Sequence, residues 1–178
     1  MKKSLFLPLL TIAAAAAILL GTSFALNGVA AKRAQAEHLR LMRTLLPGSH
    51  DFVVEPYTGD DANIRSVHKG ENGFVIQTVT NGYAAPIYMM IGVSNEGTVT
   101  GLVVEEMSET FGLGSNALYD HKFLSQLLNT AGEAQVGTDV DALSGATVTS
   151  KAVVRSVNSA VAVVTGADTN SGATSWGG

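Results

Sequence analysis

Cysteine is absent from the 178 residues, which excludes disulfides, thiolate nucleophiles, iron–sulfur ligation and Cys-x-x-Cys-His attachment of haem. A redox role would therefore need a cofactor not held by thiolate. The same absence does not fix the compartment, because many exported proteins manage without disulfides. Cations are also scarce: 11 Lys and Arg face 15 Asp and Glu, for a net charge of −4. Setting Lys2 and Lys3 aside with the leading segment leaves nine against fifteen, a balance that argues against nucleic acid as a partner. His38, His50, His68 and His121 never fall at metal-ligand spacing. Asp60-Asp61 beside Asn63 lacks the remaining oxygen ligands of a calcium loop, and the serines form no defensible Ser-His-Asp triad. No metal is expected, and Met89 and Met90, in a β-like run, read as core.

Charge is missing altogether from Ser4 to Ala31, between Lys2-Lys3 and Lys32-Arg33. About 20 apolar residues span a bilayer, so residues 1–31 read as a transmembrane anchor. Ser23-Phe24-Ala25 resembles a small-x-small cleavage site, but the run exceeds the about 7 to 15 residues of a signal-peptide core, which favours retention. Lys32, Arg33, Arg40 and Arg43 outnumber the cations ahead of the segment, so the charge rule does not orient it. Either export route leaves the body outside the cytoplasm. With only Thr, Ser and Asn as polar groups at depth, the segment offers no ion path of its own.

The rest has room for one domain. "AKRAQAEHLRLMRTLL" places Leu39, Met42, Leu45 and Leu46 at helical spacing before Pro47-Gly48, which predicts a stalk helix over 32–47. The runs "DFVVEPY", "IRSVHK", "GFVIQTVT", "APIYMMIGV" and "TVTGLVVEEM" predict four or five antiparallel strands. Gly70-Glu71-Asn72-Gly73 and Asn95-Glu96-Gly97 sit at hairpin positions. Leu118, Phe123, Leu124, Leu127 and Leu128 suggest another helix. A last helix follows Thr149-Ser150, with Val153, Val154, Val157, Val161 and Val164 on its buried face and Lys151, Arg155, Asn158 and Ser159 on its polar one. Strands followed by helices imply an α+β domain over 48–166, with a Gly/Ser/Thr-rich tail over 167–178.

Asp-x-x-Ser-Gly-Ala-Thr occurs twice, as "DALSGAT" at 141–147 and "DTNSGAT" at 168–174. Chance supplies a Ser-Gly-Ala-Thr on the order of once in a thousand chains of this length. Such a stretch is a good helix start, with Ser or Thr as N-cap. The same geometry offers a phosphate unpaired N–H groups and a positive dipole end, and a threonine hydroxyl there can be esterified to that phosphate.

Asp141-x-x-Ser144-Gly145-Ala146-Thr147 resembles the flavinylation motif of the FMN-binding domain family. There FMN is joined to the threonine by a phosphoester, installed from FAD by a flavin transferase. "NGYAAPIYMMIGVSNEGTVTGLVV" is similar to that family's paired strands, and "SETFGLG" at 108–114 to its Glu-Thr-Pro-Gly-Leu-Gly loop, with Phe111 in place of a φ-fixing proline. The likeness covers about residues 28–165. One apolar helix followed by one such domain is most similar to the G-subunit branch, which serves Rnf-type complexes coupling ferredoxin/NAD electron transfer to ion translocation. The C subunits of the sodium-translocating NADH:quinone reductase are longer relatives.

The resemblance implies a membrane-anchored electron carrier, a subunit rather than a complete enzyme, single-pass in the inner or plasma membrane with its FMN domain on the extracytoplasmic side. Its implied partners are the other subunits, the transferase and membrane lipid. Thr147 would carry the phosphate, and Ser144, Gly145 and Ala146 would let the backbone approach it. Glu109, Thr110, Gly112, Leu113 and Gly114 would lie near the isoalloxazine, and Asp141 would serve the transferase reaction or order the turn. Independently of the resemblance, Lys151 or Arg155 is expected to lie close enough to offset the phosphodiester charge. Thr174 is a candidate second attachment point that lacks a following helix. A stand-alone anchored carrier for an extracytoplasmic reductase and a cofactor-free exported binding module are the competing readings.

Overall fold

Apolar residues at every second position, broken by short polar turns, fold here into five strands. The computed structural model describes Ala15, Val29, Ala30 and residues 32–107, 120–132 and 134–167. The segment Ser4–Ala31 lies almost wholly outside these, and among the described residues no helix is long and apolar enough to cross a membrane. The chain divides into two compact units, Met1–Arg40 and Leu41–Gly178. In the first, residues 32–40 are helical. The second opens on a helical turn, residues 41–45 (α1), which ends two residues short of Pro47.

The strands are β1 (Val53–Glu55), β2 (Ile64–Lys69), β3 (Gly73–Asn81), β4 (Pro86–Ser94) and β5 (Val99–Met107), in one antiparallel sheet ordered as in the sequence. Among the described residues two helices follow, α2 (His121–Ser125) and α3 (Thr147–Thr165), which completes the α+β arrangement. The β4–β5 turn is closed by Gly97 N–H to Ser94 O at 2.9 Å, and the Ser94 hydroxyl accepts from Glu96 N–H and Thr98 N–H. Bonding to the Ser94 hydroxyl, and then to its own backbone, holds the Glu96 carboxyl below the usual carboxylate range.

Register sets the two faces. Ile76 stands opposite Ile91, and Ile91 opposite Leu102. With Ile87, Met89 and Val93 they share one core with Val153, Val157 and Val161 of α3. Each such side chain, fully removed from water, contributes about 1.5 to 3 kcal/mol. Val75 and Met90, one position out of phase, are buried on the opposite face. Met42, Leu45 and Leu46, at the end of α1, are buried too.

Two expectations need correction. Of the helix expected through Leu118 to Leu128, Leu118 lies outside the described residues, and among those the helix is five residues long. Asp120 caps it through bonds from Lys122 N–H and Phe123 N–H at 2.9 and 3.0 Å. After Ser125 the bonds tighten to three-residue spacing, from Leu127 N–H to Leu124 O and from Leu128 N–H to Ser125 O. Asn129, at φ 63, then leaves the helical path and bonds Val99 O, drawing the chain onto β5. On α3, Asn158 and Ser159 are buried rather than facing water. The Asn158 amide pairs with Ala134, accepting from its N–H at 3.2 Å and donating to its carbonyl at 3.0 Å. Ser159 accepts from the Asn63 side chain at 3.4 Å. The helix is thus wrapped by irregular chain on the side that sequence spacing marks as polar.

Candidate functional site

The Asp-x-x-Ser-Gly-Ala-Thr stretch at 141–147 is the entry to α3, and α3 is held in place by contacts outside the motif. Its middle packs on β3 and β4. The Thr80 hydroxyl reaches from β3 to the Ala152 carbonyl at 3.0 Å and shares a 2.9 Å bond with Ser156 Oγ. Both hydroxyls are buried, so this polar contact satisfies groups that would otherwise be costly to desolvate.

Upstream of α3 the chain makes one tight turn. Ala146 N–H donates to Leu143 O at 2.9 Å, with Ser144 and Gly145 between them. Gly145 has φ +77 at the third position, the backbone of a type II turn, where a side chain is strained. Ser150 ties the turn from the other side. Its hydroxyl accepts from Leu143 N–H at 3.1 Å and donates to Ala146 O at 2.9 Å, while its own N–H reaches Ala146 O at 2.8 Å. Further back, Asp141 N–H is held by the Gln126 side-chain oxygen at 3.0 Å.

This tethering sorts the motif by exposure. Ala146 is 5% exposed and Leu143 half-buried, whereas Asp141, Ser144, Gly145 and Thr147 face solvent. The helix begins at Thr147 itself, four residues earlier than a start after Thr149-Ser150. Its N-cap is Ala146, which has no capping side chain, so the expectation of a Ser or Thr cap is corrected. The hydroxyl best placed to cap, that of Ser150, is engaged by Leu143 and Ala146 instead. Among the described residues the N–H groups of Thr147 and Val148 have no acceptor, and no acid stands in the first turn. Such a terminus suits a phosphate, with free N–H donors and the positive end of a 19-residue helix beside an exposed hydroxyl. Thr147, Lys151 and Arg155 follow at four-residue steps, which places them along one stripe of α3, and both cations are half-buried.

The structure places Ser144, Gly145 and Ala146 in this one turn, with Asp141 two residues ahead of it and Thr147 at the first position of α3. Glu109, Thr110, Gly112, Leu113 and Gly114, with Phe111, lie outside the described residues, as does Thr174. Sequence spacing offers no sign of Ser150 or Gln126, since their bonds depend on how the chain folds back on itself. Elsewhere, on the sheet face that carries Met90, a recess of about 390 Å³ is lined by Arg65, Ser66, Gln77, Tyr88 and Glu105. There Ser66 bonds Gln77 at 2.6 Å, Gln77 bonds Glu105 at 3.1 Å, and Arg65 lies over the Tyr88 ring at 5.2 Å. Among the described residues there is no group of acids and histidines able to hold a metal ion.

Residues 82–162 match the model of the FMN-binding domain, a span that contains the turn and Thr147. The G subunit of the ion-translocating oxidoreductase complex of Methanosarcina acetivorans is 33% identical over 169 residues, covering 86% of this chain and 89% of that protein. The chain belongs to the FMN-binding domain family. A second family relative, the G subunit of the Na(+)-translocating ferredoxin:NAD(+) oxidoreductase complex of Acetobacterium woodii, is 32% identical over 100 residues, 51% of this chain and 48% of that one. The crystal structure of NqrC from Shewanella oneidensis aligns with a TM-score of 0.45 at 24% identity, over 69% of this chain and 68% of that one.

Proposed function

We propose that this FMN-binding protein carries its flavin covalently on Thr147 and passes electrons within an ion-translocating, Rnf-type membrane complex. The observation that carries this reading is the exposed Thr147 at the uncapped start of α3, behind the positive-φ turn at Gly145. Attachment forms a bond from Thr147 Oγ to the FMN phosphorus of FAD and breaks the pyrophosphate linkage. AMP departs with the bonding electrons, the hydroxyl proton is lost, and nothing is oxidised or reduced. Once bound, the flavin accepts one or two electrons and so joins carriers of either kind.

The chain's own groups prepare the site. Thr147 and Val148 offer N–H donors to the phosphate, and Gly145 keeps side-chain bulk away from it. The Asp141 carboxylate faces solvent and bonds nothing among the described residues, which supports a role in meeting the transferase rather than in ordering the turn. Lys151 and Arg155, on the Thr147 stripe, offset the phosphodiester charge. By resemblance, Glu109, Thr110, Gly112, Leu113 and Gly114 lie near the isoalloxazine, and by its charge-free run the segment 1–31 anchors the chain with its FMN domain outside the cytoplasm. The complex names of the G-subunit relatives support partnership with other membrane subunits.

Coexpression with a flavin transferase tests this directly. A denatured gel band of wild type should fluoresce under ultraviolet light, Thr147→Ala should be dark, and Lys151→Ala and Arg155→Ala should give reduced yield. A bright Thr147→Ala band would sink the assignment.

A further inference from the structure

We propose that Ser150 is the positioning residue for flavin attachment, and that it directs the modification to Thr147 rather than Thr174. This rests on the covalent-flavin reading above. Ser150 is fully buried and has no access to the flavin transferase. Its hydroxyl nevertheless bridges both ends of the turn that carries Ser144 and Gly145, through Leu143 N–H at 3.1 Å and Ala146 O at 2.9 Å. With Ala146 N–H on Leu143 O at 2.9 Å, three bonds close one small loop. The loop hides Ala146 and turns Ser144, Gly145 and Thr147 outward.

A transferase that engages this motif therefore meets a shape already formed, and the entropy of fixing the threonine is lost at folding rather than in the transition state. The second copy offers the same letters without that device. Ser150 stands three residues after Thr147, and the residue three after Thr174 is Gly177, which has no side chain to close a turn. The two Asp-x-x-Ser-Gly-Ala-Thr stretches thus share the motif's named residues and differ in whether a serine stands three residues beyond the threonine.

The test follows FMN on each threonine by peptide mass spectrometry during coexpression of the full chain with the transferase. Wild type should load Thr147 and leave Thr174 nearly bare. Ser150→Ala should slow loading at Thr147 about tenfold, a modest share of what misplacing a reacting group can cost. The ratio of Thr147 to Thr174 labelling should fall with it. Ser150→Thr, which keeps a hydroxyl able to bond the carbonyl four residues back, should recover part of the rate. Ser156→Ala removes an equally buried hydroxyl from the same helix, away from the turn, and should load Thr147 at the wild-type rate even though it loses stability in thermal unfolding. Equal slowing of Ser150→Ala and Ser156→Ala would overturn the proposal, as would Ser150→Ala loading at the wild-type rate or wild type labelling both threonines alike. If wild type takes up no FMN on either threonine, the covalent reading itself fails and this inference falls with it.

Discussion

Asn158 shows what a single side chain does to hold the entry to α3. Its amide satisfies both the N–H and the carbonyl of Ala134, on the strap of chain that leads into the motif at Asp141. Asn158→Ala would leave two backbone groups without partners in a buried setting, at about 1 to 3 kcal/mol. Urea unfolding should show a lower midpoint with an unchanged slope, and an unchanged midpoint would mean water replaces the amide at no cost. The contrast with Thr147 bears on what a sequence discloses. Thr147 is legible because its chemistry is carried by neighbours in the chain, Ser144 to Ala146. Asn158 and Ser150 are not, because each bonds backbone from another segment or from a turn, and the helical spacing of the valines marks Asn158 as outward-facing. Periodicity reports one buried face and cannot see irregular chain laid over the other.

At the scale of elements, the five strands follow from alternation and turn residues, and all five lie where those signals put them. The short α2 does not, since Leu124, Leu127 and Leu128 keep helical spacing although Asn129 has already turned toward β5. What spacing also hides is how closely α1 rests on the sheet. The Thr100 hydroxyl bonds the Leu45 carbonyl at 2.5 Å, and a Cβ on Gly92 would run into that same carbonyl oxygen. Backbone meets backbone there, so no side-chain rotation relieves the clash. Gly92→Ala should therefore cost about 1 to 3 kcal/mol by forcing α1 away from β4, read as a lowered thermal midpoint. A neutral Gly92→Ala would show that α1 moves freely over the sheet.

For the whole molecule, the α+β domain and its membership of the FMN-binding family stand on matched residues 82–162 and on the match to a G subunit along 89% of that protein. The proposed anchor rests on the charge-free run from Ser4 to Ala31. The account expects the full chain to sediment with membranes, to stay there through alkaline carbonate washing and to need detergent for release. Release by carbonate alone would contradict a retained span. The central claim is the ester at Thr147, and its most direct measurement is the intact mass of the chain after coexpression with the flavin transferase. Wild type should exceed its polypeptide mass by one FMN phosphoester, Thr174→Ala should gain the same increment, and Thr147→Ala should gain none. A wild-type chain of bare polypeptide mass, or a Thr147→Ala chain that still gains the increment, contradicts the account.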